Sequence, residues 1–145
     1  MTLEEAIIAK TPINPRRDNP EEREQQSLFQ FLQLNSSRFE DLDRPFAIPN
    51  GGWRSAKTAI NLKKAGVKAG VWDIFCPTNE YLFVEKGKIG LFIEMKAGKG
   101  NLTQEQVEFA DFNSAYPYKV CWSWVEAARA IIDFYELDES LMEGF

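Results

Sequence analysis

A chain of 145 residues, 44% hydrophobic and 13% aromatic, has enough apolar side chain for one domain with a real core and too little length for two. Its charge of −5 sits on a sequence without histidine, which excludes Ser-His-Asp and Cys-His catalysis, histidine-ligated zinc and nucleases with a histidine general base. No apolar run approaches the ~20 residues of a membrane span, and the start MTLEEAIIAK carries neither a basic leader nor a cleavage site, so the expectation is a soluble, cytoplasmic protein without a membrane partner.

Residues 1–19 read as an N-terminal arm, because TPINPRRDNP has three prolines and no periodicity. NPEEREQQSLFQFLQL predicts a helix, capped by Asn19, with Pro20 and acids in its first turn and Leu28, Phe29, Phe31 and Leu32 on its apolar side. RPFAIPNGG predicts a short strand and turn, and WRSAKTAINLKKAG a helix closed by Gly66. GVWDIFCP is a strand stopped by Pro77, and the connection TNEYLFVEKGK holds a short strand candidate at 81–84. IGLFIEMK is the next strand, LTQEQVEFADFNSA a helix, YKVCWSW a strand and VEAARAIIDFYEL a closing helix. This order predicts one α/β domain over residues 20–136, a central mixed β-sheet flanked by helices, with an acidic and apolar tail over 137–145.

Charge is unevenly spread. No acid falls between Asp43 and Asp73, where Arg44, Arg54, Lys57, Lys63, Lys64 and Lys68 lie, while acids collect near the C-terminus. Arg54, Lys57, Lys64 and Lys68, with Asn61 between, share one helical face that could track a phosphate backbone, and Lys99 sits between glycines in AGKGN. Trp53, Trp122 and Trp124 read as packing residues, and Cys76 and Cys121 as small buried thiols.

Strand side chains alternate, so Ile89, Leu91, Ile93 and Met95 share one face and Phe92, Glu94 and Lys96 the other. Val71, Asp73 and Phe75 share a face of the preceding strand, and if the two strands pair, Asp73 meets Glu94 across the ladder. Two carboxylates held together repel, and a divalent cation relieves that repulsion; Mg²⁺ takes one or two carboxylates plus water and phosphate. A neighbouring lysine can then position an attacking water and stabilise charge on a phosphate. A surface salt bridge between Glu94 and Lys96 is the plainer alternative.

Asp73 followed by Glu94-Met95-Lys96 resembles the PD-(D/E)xK nuclease superfamily, whose core is restriction-endonuclease-like. The wider string AIPNGG, LKKAGVKAGVWDIFCP and GLFIEMKAGKGNLTQEQ resembles the VRR-NUC domain, especially its stand-alone phage-type members, from about Pro20 to about Tyr135. The resemblance implies a metal site of Asp73, Glu94 and the Met95 carbonyl, with Lys96 catalytic. It also implies that Glu21 joins the metal site, with Gln25 supporting it, and that Gln106 is catalytic. Helical spacing does not choose between Glu21 and Glu24, and Thr103-Gln104-Glu105-Gln106 is also a capping box. Trp72 stands where the family has a proline, and the expected consequence is a local change in how the strand starts.

The activity expected is Mg²⁺- or Mn²⁺-dependent DNA cleavage, structure-specific like a Holliday-junction resolvase, with a four-way junction as partner and a homodimer as the assembly. The alternatives are a nuclease for nicked, flapped or ordinary duplex DNA, and a non-catalytic DNA-binding module. In the closing segment Trp124, Ala128, Ile131 and Tyr135 form one stripe, leaving Ile132, Phe134, Leu137, Leu141, Met142 and Phe145 for a dimer interface unless the tail folds back over its own core.

Overall fold

The computed structural model describes residues 19–49 and 55–145, so the rest of the arm, Trp53 and Arg54 lie outside the described residues. Helix α1 (Pro20–Asn35) starts as its sequence dictates. The Asn19 side chain accepts a hydrogen bond from the Glu22 N–H at 3.2 Å, and Glu21 and Glu22 occupy the first turn. Strand β1 (Phe46–Ala47) is followed by helix α2 (Ala56–Lys64), strand β2 (Ile74–Pro77) and helix α3 (Glu80–Lys86). Strand β3 (Gly90–Met95), helix α4 (Gln104–Phe112), strand β4 (Tyr118–Cys121) and helix α5 (Trp124–Phe134) complete the order. Two 3₁₀ turns lie at Glu40–Asp43 and Glu139–Met142.

The strands form one mixed sheet in the order β1-β2-β3-β4. β1 and β2, and β2 and β3, are antiparallel, and β3 and β4 are parallel. Its two faces have different chemistry. Ile74, Cys76, Leu91, Ile93, Met95 and Cys121 point into the main core, which α1 and α5 cover with Leu28, Phe31, Leu32, Ala127, Ala128 and Ile131. Burial pushes the Cys76 thiol up to about 12 and the Cys121 thiol up to about 11, so both stay protonated, and neither forms a disulfide. The opposite face is aromatic. Phe92 packs on Phe75 at 4.7 Å, stacks on Tyr118 at 5.3 Å and meets Phe109 of α4 at 5.4 Å.

The segment 81–84 is helical, not a strand. Asn79 accepts from the Leu82 N–H at 2.8 Å and Gly87 closes the last turn at φ +66°, so cap and stop chemistry outweigh the β-branched and aromatic residues between them. The tail has its own work as well. Ile132, Phe134 and Met142 are buried, and Leu137 and Leu141 pack against the same core. The Phe145 ring lies 5.1 Å from Trp124 and 6.2 Å from Phe31, while its carbonyl accepts from Arg129. Of the residues expected to be spare for an interface, Ile132, Phe134, Leu137, Leu141 and Met142 thus cover the chain's own core, while Phe145 touches Trp124 and Phe31 and stays 60% exposed; Trp124 is a packing residue.

Met142→Ala should lower the unfolding free energy by about 2 kcal/mol or more in urea denaturation, the cost of truncating a buried methionine. A loss under about 0.5 kcal/mol would mean that the tail does not seal the core.

Candidate active site

The site is built where β2 begins and β3 ends. Ile74 pairs with Ile93, which sets Asp73 opposite Glu94 on the aromatic face of the sheet. The Met95 main-chain N–H donates to Asp73 Oδ2 at 3.0 Å and fixes that carboxylate at the strand edge. Glu94 is only 3% exposed. Its Oε1 accepts from Gln106 Nε2 at 2.8 Å, while Oε2 is buried and meets no donor. Burial, followed by repulsion from Asp73, holds the Glu94 carboxyl up at about 8, and the neighbouring Lys96 cation offsets part of this. When protonated, Glu94 can donate to Asp73; when ionised, two carboxylates face each other and one buried Glu94 oxygen meets no donor.

Lys96 is 8% exposed, with its N–H bonded to the Cys121 carbonyl at 2.9 Å, so the main chain carries it past the end of β3 still in register with β4. Among the described residues it makes no ion pair. The Glu94–Lys96 surface salt bridge is therefore not how these residues are used. Gly100 folds over the lysine stem. A Cβ on Gly100 would come 3.7 Å from Lys96 Cδ and 3.8 Å from Glu21 Oε1, so Glu21 reaches the same corner from α1. Glu24 is committed elsewhere, accepting from the Trp124 N–H at 2.7 Å at the start of α5. Gln25 is half-buried one turn along from Glu21.

Gln106 meets both of its readings. Its side-chain oxygen accepts from the Thr103 N–H at 2.9 Å, completing the capping box, and its nitrogen is left for Glu94. Trp72 has more than a local effect on the strand start: its indole Nε1–H donates to the Gln106 carbonyl at 3.0 Å. Sequence reading missed this contact, because a tryptophan in an apolar run carries no signal of which carbonyl it will meet.

The donor set suits a hard divalent cation. Among the described residues no three His, Cys, Asp or Glu side chains are gathered as ligands, so Glu21 does not join Asp73 and Glu94 in a carboxylate cluster. Two carboxylates with a main-chain oxygen are nonetheless what Mg²⁺ or Mn²⁺ commonly takes from a protein, and the donorless Glu94 oxygen is the atom a cation would satisfy.

Lys57, Lys64 and Lys68 are exposed, the first two on α2, none of whose residues is buried. Among the described residues none of the three makes an ion pair. Lys99 is exposed in the turn after Lys96. Arg54 is outside the described residues. A hollow of about 490 Å³ lined by Leu91, Pro117, Tyr118 and Phe134 sits at the far end of β3 and β4 and has no carboxylate pair.

No family model matches the sequence, and no curated protein does. A solved structure named "VRR_NUC domain protein" matches this fold with a TM-score of 0.62 at 20% identity, over 83% of this chain and 92% of the other.

A carboxyl that titrates at about 8 when folded, against an ordinary 4.5, binds its proton more tightly in the fold. Its contribution to stability is full below pH 4.5 and is lost as pH climbs through about 8. In metal-free buffer, the melting temperature of the wild type should therefore fall between those limits relative to Glu94→Gln, which has no charge to bury. Parallel curves for the two proteins would show that Glu94 is not held in this environment.

Proposed function

We propose that this chain is a metal-dependent DNA endonuclease. The observation that carries the reading is the buried Glu94 carboxylate, opposed to Asp73, with one oxygen lacking any donor and Lys96 beside it. The fold match to a VRR_NUC domain protein supports it. Asp73, Glu94 and the Met95 carbonyl would hold Mg²⁺ or Mn²⁺, which when bound supplies a Lewis acid for a phosphate oxygen and a more acidic water.

The chain's own residues do the rest. Gln106 holds the Glu94 carboxylate in one orientation. Met95 N–H holds Asp73. Lys96, held with little freedom by burial of its stem, orients the attacking water and stabilises negative charge developing on the phosphate. Glu21 reaches the same corner, where its carboxylate would favour the charged form of the lysine. The exposed lysines of α2, with Lys68 and Lys99, hold the phosphate backbone of the substrate. Branched DNA, with a four-way junction first, is the substrate we propose on the strength of the sequence resemblance. Paired cuts across a two-fold junction need two sites, which a symmetric dimer supplies.

Incubation with Mn²⁺ and a labelled four-way junction, beside a linear duplex of the same sequence, tests this reading. Symmetric nicks in the junction are the expected result, cuts in both forms would shift the reading to a general duplex nuclease, and no cuts in any DNA would overturn it. Lys96→Ala should lower the cleavage rate by ~10²-fold or more while DNA affinity changes little, because the lysine acts on the transition state. Equal loss of affinity and rate would make it a binding residue. With Lys57→Ala and Lys64→Ala combined, the slope of log K against log salt should flatten by about two units. An unchanged slope would place the DNA on another face.

A further inference from the structure

The segment leading into Asp73 is pinned to the first turn of α4 at two points. The Trp72 indole, 2% exposed, donates to the Gln106 carbonyl at 3.0 Å, and its ring meets Tyr118 of β4 edge-on at 4.9 Å. Two residues earlier, Gly70 has φ +85° and no room for a side chain, since a Cβ would stand 2.3 Å from the Glu105 carbonyl oxygen. Main chain at Gly70 and indole at Trp72 together fix where α4 starts relative to β2. Gln106 itself is held on three sides: its carbonyl by Trp72, its side-chain oxygen by the Thr103 N–H, and its side-chain nitrogen on Glu94 Oε1. Because the oxygen is taken by a donor, the amide has one orientation, and only the nitrogen can face the carboxylate. The terminal torsion of a glutamate is otherwise soft, so this one bond decides how the Glu94 oxygens are presented.

We infer that Trp72 is a positioning residue: acting through Gln106, it sets which oxygen of Glu94 is offered to the cleft beside Asp73. The inference rests on the nuclease reading of this site. Among the described residues Trp72 makes no hydrogen bond to Glu94; its indole N–H places the helix that places the amide. A tryptophan serving only to fill space would work as well without its N–H.

Trp72→Phe keeps an aromatic ring and removes the donor. Its kcat should fall about 10- to 100-fold, as for groups that orient a site's ligands, while KM and DNA affinity stay within about twofold. Added to Gln106→Ala, it should cost nothing further, because both changes break one chain of contacts. Full kcat in Trp72→Phe, or losses that multiply in the double variant, would overturn the inference. Should Trp72→Phe fail to fold, benzothienylalanine at position 72 replaces the N–H by sulfur at nearly constant shape and takes its place in every measurement. The Gln106 side-chain amide, followed by ¹⁵N NMR without metal or DNA, gives a readout independent of activity. Its protons should exchange slowly in the wild type and move towards solvent-exposed positions once the indole N–H is gone; unchanged resonances would overturn the inference. A wild type that cuts no DNA would remove the nuclease reading, and the NMR result would still decide whether Trp72 places Gln106.

Discussion

Ile74 pairs with Ile93 in antiparallel register, and one residue further out Asp73 meets Glu94. A slip of a single residue in either strand would turn that strand's acid to the other face of the sheet, away from its partner and into the aliphatic core. The register is held from both sides. Ile74, Cys76, Leu91 and Ile93 bury one face, and Phe75 against Phe92 packs the other. The core thus does more than stabilise the chain. It holds two like charges within reach of each other in a place where water is scarce, and the high affinity of Glu94 for a proton is the measure of what that placement costs the metal-free fold.

Much of this was legible in the sequence, for identifiable reasons. Alternation in IGLFIEMK assigned Glu94 and Lys96 to one face, and local cap chemistry marked the starts of α1 and α4 at Asn19 and Thr103. Long-range partners were another matter. The spacing of α1 could not separate Glu21 from Glu24; what separates them is that the start of α5 needs an acceptor for the Trp124 N–H, and Glu24 provides it. Capping and the site both draw on Gln106, and a carboxamide has an acceptor and a donor end and uses one for each. The apolar surplus of the tail looked available for a partner because the count left out the return path of the chain over Phe31 and Trp124. Residues 81–84 have strand-favouring side chains, yet the Asn79 and Gly87 caps that bound them make the segment a helix.

Charge is divided between two jobs. The net balance of −5 would discourage a polyanion at long range, but the exposed lysines of α2 stand on a helix with no buried residue, in a stretch of sequence that has no acid. Local field near such a helix, more than the total, governs approach of a phosphate backbone. On the proposed reading, the carboxylates that would repel DNA at the site are the ones a bound cation would neutralise, which would link substrate approach to metal occupancy through Asp73 and Glu94.

The most direct test of the central claim is calorimetric titration of Mn²⁺ into the wild type and into Asp73→Asn and Glu94→Gln, without DNA. The account predicts at least one bound ion per chain in the wild type and a loss of roughly tenfold or more in affinity in each variant, since a neutral amide replaces a charged ligand. Equal Mn²⁺ affinity in all three proteins, or no binding by the wild type, would contradict it.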